Sequence, residues 1–343
     1  PLLAGARLIG RAGGQQVGLL AVRTGGDAPA TDVVARVKRD VLGRGYVGAM
    51  ATMQQTTNAP LSATGGVDYY FPFIVGGQNF VMNGAFSAQR DSARGSVANA
   101  WRFVLDYPND AADINARVER IDAGYDPRLG FVSQDGIWRY VGQVELSPRP
   151  GRWGIRRLVF KLLEWNIATN LDQSLNHAEF EVRPLGANFQ SGDEFELNLK
   201  RNRDVPTEAF ELFSGTVIGA GGYQWDRVEL QFKSSWGRRI AVDVMASTGG
   251  YYDGTAAELE VALFGRLEPH LGASLEYQAT DVHRRTAGFT ARTARVRLDY
   301  AASPRLTTTL FGQYDNDSRR VAFNARLRWT RAPGSDAYVV WNS

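Results

Sequence analysis

Apolar and polar residues alternate with a period of two in one segment after another, the signature of strands whose two faces meet different surroundings. The clearest run sets Val321, Phe323, Ala325, Leu327 and Trp329 against Ala322, Asn324, Arg326, Arg328 and Thr330. The arrangement returns in Val228, Leu230 and Phe232 against Arg227, Glu229, Gln231 and Lys233, and in Phe195, Leu197 and Leu199 against Glu194, Glu196, Asn198 and Lys200. Three further runs place Ala178, Phe180 and Val182 beside His177, Glu179, Glu181 and Arg183, Leu259, Val261 and Leu263 beside Glu258 and Glu260, and Val296, Leu298 and Tyr300 beside Arg295, Arg297 and Asp299. Weaker versions fill residues 5–23, 32–55, 66–105 and 112–122, and the spacing of an amphipathic helix is almost nowhere present.

Turn signals separate these runs, among them Gly13-Gly14, Gly25-Gly26-Asp27, Gly76-Gly77, Ser191-Gly192-Asp193 and Asp315-Asn316-Asp317. Longer connections are expected near residues 126–130, 147–150 and 202–210. At about 18 residues per strand and connection the length accommodates roughly 19 strands, each near the 9–11 residues that a tilted membrane strand needs. A soluble sandwich would have shorter strands, with fewer charges along any one face.

The expected fold is therefore all-β, a single large antiparallel transmembrane β-barrel of about 18–20 strands over residues 1–343. Glu179, Glu181, Arg183, Glu194, Glu196, Arg227, Glu229, Glu258, Glu260, Arg295, Arg297, Arg326 and Arg328 are expected to line its lumen. Phe180, Leu197, Leu230, Phe232, Leu259, Val261, Leu298, Phe323, Leu327 and Trp329 are expected to face lipid. An open sheet edge in hydrocarbon leaves backbone groups unpaired at several kcal/mol each, so the first strand is expected to sit beside the last. A mean hydropathy of −0.28 agrees with such a barrel, because every second strand residue faces a polar lumen. Tyr and Trp gather where strands end, as in Tyr69-Tyr70, Trp138 with Tyr140, Trp225 and Tyr251-Tyr252, the placement favoured at a membrane–water boundary.

Composition narrows the chemistry. Basic and acidic residues nearly balance, 39 against 36, and are interleaved rather than segregated, so no nucleic-acid partner is expected. The absence of cysteine removes disulfides, thiolate metal sites and thiol nucleophiles. Only four of the 39 basic residues are lysine; arginine, with its planar fork of donors, suits pairing across a wall.

Carboxylates two apart on one face, such as Glu258 and Glu260, have the types that glycoside hydrolysis uses. The pattern repeats on several strands, however, and fits a wall of ion pairs better than an active site. His177, His270 and His283 show no metal-ligand spacing. Ser174, Asn176 and His177 have the residue types of barrel phospholipases, but His177 alternates with the apolar set and should face the lumen. Asp315-Asn316-Asp317-Ser318 could hold calcium through oxygens, and a tight hairpin explains it without an ion. No catalytic residue, cofactor or metal is expected.

Several stretches resemble a bacterial outer-membrane β-barrel domain of unknown function that usually follows a carbohydrate-binding module of family nine type. They are Gly5-Ala6-Arg7-Leu8-Ile9-Gly10-Arg11 with Val17-Gly18-Leu19-Leu20-Ala21, Val34 to Asp40 with Tyr46 to Ala49, Tyr125 to Val132, and Arg326 to Trp329 with Pro333 to Asn342. The resemblance implies a barrel in the outer membrane of a diderm bacterium, in contact with its lipid, and little chemistry. Two functions follow as expectations: a porin-like passage for small polar solutes, with saccharides among the candidates, or a structural barrel. The latter would anchor a carbohydrate-binding-like N-terminal domain or join other envelope proteins.

Overall fold

The computed structural model describes residues 1–57, 59–91, 95–213, 215–268, 270–285, 287–332 and 334–343. Among them every regular element is a strand. The first nine are β1 (Leu2–Ala12), β2 (Gln15–Thr24), β3 (Ala30–Val41), β4 (Gly45–Thr56), β5 (Ser62–Val75), β6 (Gln78–Asp91), β7 (Ser96–Pro108), β8 (Ala112–Ile121) and β9 (Ile137–Leu146). The next six are β10 (Ile155–Leu158), β11 (Phe160–Asn170), β12 (Leu175–Phe189), β13 (Glu194–Asp204), β14 (Phe210–Phe213) and β15 (Thr216–Ile218). The chain ends with β16 (Tyr223–Lys233), β17 (Ile240–Tyr251), β18 (Gly254–Glu268), β19 (Leu271–His283), β20 (Phe289–Ser303), β21 (Leu306–Asp315), β22 (Arg320–Ala332) and β23 (Ser335–Asn342).

Of these, 21 strands belong to one sheet and β14 with β15 forms a separate two-stranded one. β10 and β11 are separated only by Val159, whose amide still bonds Gly186 O at 2.8 Å, so the two act as one strand with a break. The long connections expected from sequence appear between β8 and β9, β9 and β10, and β13 and β16.

Two compact units divide the chain, residues 1–145 with 164–178, and residues 146–163 with 179–343. In the first, β1 to β8 form an antiparallel meander in which each strand pairs with its successor. In the second, β13 pairs with β16, and β16 to β23 continue the meander. β1 is laddered to β2, and β23 to β22; every residue of these two terminal strands is exposed.

The registers join side chains of like character into continuous faces, as a period of two requires. Asn198 lies opposite Glu229, Glu229 opposite Ser247 and Ser247 opposite Glu258. On the other face Leu197 opposes Leu230, Leu230 opposes Ala246 and Ala246 opposes Leu259. Aromatic rings crowd one set of strand ends in the second unit, where Trp225 and Tyr223 pack on Tyr252 with centroids 4.8 and 5.2 Å away.

The opposite ends are stapled by a turn carboxylate. Asp193, between β12 and β13, accepts from Arg238 Nη2 at 2.7 Å, Ser191 Oγ at 2.7 Å and the Ser235 amide at 2.9 Å. These bonds, led by that of Arg238, hold its carboxyl down at about 2 from an ordinary 3.8. A lowered folded-state value means the staple contributes fully above the unfolded value and fades as pH falls through the folded one. The melting difference between the parent and Asp193→Asn, followed by heat-modifiable mobility in detergent, should be constant from pH 7 to 5 and should shrink between pH 4 and 2.

Candidate functional site

In an ordinary soluble domain the apolar face of a strand is the buried one. In the second unit the order is reversed. Leu230 is 46% exposed, whereas Glu181 is 8% and Asn198 2% exposed. Along β16 the alternation is strict: Val228, Leu230 and Phe232 are exposed, and Arg227, Glu229, Gln231 and Lys233 are partly buried. A carboxylate is kept charged in such a place only by nearby cations and hydrogen bonds.

The polar face meets that requirement with a chain of ion pairs across the strands. Lys161 Nζ reaches Glu181 Oε1 at 2.6 Å, Lys200 approaches Glu181 Oε2 at 3.5 Å and Glu229 Oε2 at 2.8 Å, and Arg183 spans to Glu196 at 2.7 Å. Asn198 fills the remaining gap, accepting from Arg183 Nε at 2.8 Å and donating to Glu229 at 3.0 Å. Arg227 extends the chain, donating through Nε to Ser247 Oγ at 2.9 Å and lying 3.4 Å from Glu258. The eight ionised groups, four of each sign, sum to zero.

The remaining residues singled out from sequence fall on the same two faces. Glu194 and Glu196 oppose Lys233 and Gln231, and Glu260 opposes Met245 and Gln278. Arg295 pairs with Glu276 at 3.3 Å, and Arg297 grips Asp299 at 2.6 and 3.0 Å. Arg326 stacks over the Tyr338 ring at 4.5 Å, and Arg328 has an Nε without a partner. Glu179 lies two residues along β12 from Glu181, on its side of the strand. Val261, Leu298, Phe323, Leu327 and Trp329 lie opposite Val244, Leu310, Gly312, Thr308 and Leu306 on the apolar face. Phe232 opposes Phe195 there, and Phe180 alternates with Glu179 and Glu181.

Sequence reasoning missed Lys161, which sits in a segment with weak alternation, and Ser247, whose small hydroxyl gives no charge signal. It also missed a feature of the first unit. The connection between β8 and β9 folds back onto the polar face of β5 to β7, where Gly66, Ser87, Ala98 and Ala100 leave room. Tyr125, 7% exposed, meets Ser87 Oγ at 2.6 Å, and Gln89 exchanges two bonds with the backbone of Asp126. A recess of about 380 Å³ remains beside it, walled by Arg36, Arg102, Met50, Leu129 and Phe131. There Arg36 is bidentate to Asp68, and a Cβ on Gly48 would stand 2.6 Å from Arg36 Nη2, so a side chain at this position would displace that pair.

The tempting chemical motifs resolve into turns. Asp315 accepts from the amides of Asp317 and Ser318 at 2.9 Å, a hairpin turn complete without an ion. Ser174 Oγ donates to Asp172. Among the described residues no group of three or more His, Asp or Glu could hold a metal.

Neither family models nor curated proteins match the sequence. Solved structures do. The chain is similar to the siderophore receptor PirA from Pseudomonas aeruginosa, with a TM-score of 0.63, 13% identity, 96% of this chain covered and 69% of that one. It is also similar to the ferric-catecholate import receptor Fiu from E. coli K12 in its open form, with a TM-score of 0.51, 8% identity, 96% of this chain covered and 65% of the other. The chain thus spans about two thirds of each receptor. At these identities the likeness shows the fold alone, a large antiparallel transmembrane β-barrel.

Removing one partner from a nearly buried ionic cluster strands the others, so Glu181→Ala should cost about 3 kcal/mol. Glu194→Gln, in a half-exposed position outside the ion-pair chain, should cost well under 1 kcal/mol. Urea unfolding of the two variants in one detergent checks the contrast; equal losses would remove the cluster's claimed role.

Proposed function

We propose that the chain forms the wall of a bacterial outer-membrane barrel through which small polar solutes pass, with saccharides among the candidates. The observation that carries this reading is the inversion of the second unit, whose charged face is packed and, from Glu181 to Glu258, mutually neutralised while its apolar face is bare. Bare leucines and phenylalanines over the length of a strand suit hydrocarbon and suit water poorly. In this reading the charged face, from Glu181 across to Arg328, lines the lumen. The face from Phe180 across to Trp329 lies against outer-membrane lipid.

The two similar structures belong to receptors that handle siderophores or ferric catecholates. Those ligands are theirs; for this chain the shared barrel supports transport as a class. The reading calls for no catalytic residue and no cofactor.

Single-channel recording of the purified protein in planar bilayers tests passage. Steady open events are expected, and silence from protein shown to be folded would favour a structural barrel that anchors a carbohydrate-binding-like domain or joins other envelope proteins.

Leu230→Arg or Leu259→Arg, placing a cation in hydrocarbon near mid-strand, should cost about 2–4 kcal/mol. Glu260→Gln on the opposite face should cost little. Similar losses for the two kinds of variant, measured by heat-modifiable mobility, would count against the assigned faces.

A further inference from the structure

Three arginines of the second unit stand on the polar face near one set of strand ends without a side-chain partner among the described residues. Arg266 closes the β17–β18 ladder, and its amide bonds Arg239 O at 2.7 Å, so the two arginines are cross-strand neighbours. Like charges placed opposite one another in a ladder repel, with Cβ atoms only about 5 Å apart. The third, Arg328, has its Nε buried and without a hydrogen-bond partner.

The nearby acids whose side chains are described are already committed. Asp299 is gripped by Arg297 at 2.6 and 3.0 Å and accepts from Thr309 Oγ1 at 2.7 Å, and Glu276 pairs with Arg295. Arg238, beside Arg239 in sequence, is bound to Asp193. Among the described side chains the cluster thus carries about three uncompensated positive charges around a recess of about 640 Å³ that Arg239, Arg266, Asp299 and Arg328 help to line. Gly272 stands between Arg266 and Asp299 in register and presents no side chain, and a Cβ there would meet nothing closer than 4.0 Å.

We infer that this recess is a binding site for a compact, water-soluble polyanion carrying adjacent oxyanion groups, of the phosphate or polycarboxylate kind. The planar guanidinium fork presents paired donors that match an oxyanion edge to edge, and three of them can hold two adjacent groups. The open floor at Gly272 gives the anion space. A lipid phosphate has the same chemistry, but the three side chains project opposite to Leu298 and Leu327, on the face proposed to line the lumen. The site deepens the passage reading by naming a solute class, and depends on it only for where that face points.

The full chain, folded in neutral detergent at low salt, is titrated calorimetrically with sodium pyrophosphate. One saturable site is expected, weakened at least tenfold in Arg266→Gln and in Arg328→Gln. Arg201→Gln, which removes a guanidinium paired with Asp226 in a well-exposed position, should bind like the parent. Gly272→Glu keeps all three arginines and places a carboxylate among them, so it should abolish binding even if an arginine variant fails to fold.

No saturable binding by the parent, or unchanged affinity in Gly272→Glu, overturns the proposal. Loss of pyrophosphate binding when phosphatidylglycerol is added to the micelles assigns the site to lipid and overturns it in this form. Protein that conducts in bilayers yet ignores pyrophosphate sinks this inference alone; protein that binds pyrophosphate yet stays silent sinks only the passage reading.

Discussion

Glu181 has Lys161, Lys200 and Arg183 within 2.6 to 3.9 Å, and that compensation is the condition on which the second unit rests. A sheet with a bare apolar face has nowhere to put charge except its other face, where curvature and packing bring the side chains close. Each carboxylate there loses water and must recover the interaction from neighbours. The exchange works because the cations come from adjacent strands at matched heights, and a slip of β13 by one residue would bring a leucine, Leu197 or Leu199, opposite Glu229 in place of Asn198. The ion pairs therefore select the register as much as they stabilise it.

Much of this was legible in the sequence. The runs at 178–183, 194–200, 227–233, 258–263, 295–300 and 321–330 all lie in strands, and the residues assigned to one face share it through the cross-strand pairings. Period two is a local signal, and strand faces follow from it directly. Which arginine meets which carboxylate was not legible, because partners are set by register between strands and by side-chain reach. Arg297 turned to Asp299 on its own strand, Arg295 met Glu276, and Arg328 met nothing. Each choice depends on heights along the sheet that composition does not encode.

The in-folded connection of the first unit was hidden for a different reason. Residues 126–130 read as a long loop, and loops ordinarily lie over the surface. What draws this one onto the sheet is a set of absences, Gly66, Ala98 and Ala100, lying on strands far from it in sequence, together with Gln89 aimed at the backbone of Asp126. Small residues in a strand carry no charge or periodicity that announces a packing partner. The break at Val159 is similar, since a one-residue interruption leaves the alternation on either side intact.

The ion-paired face also has a history in time. Each large-sheet strand of the second unit from β16 onward pairs with its neighbour in sequence, so the sheet can grow one hairpin at a time, with short loops to close at each step. Neutrality is not local in that way. When β12 is in place Glu181 has Lys161 beside it, but Lys200 arrives with β13, and Glu229, which shares that lysine, only after the excursion through β14 and β15. Between β12 and β16 the advancing edge bears a charge whose counterion has yet to be added, along with a row of unpaired backbone groups. Adding the next strand relieves both at once, whereas halting between β12 and β16 leaves both exposed, so that stretch of sheet is complete only when all of its strands are in place.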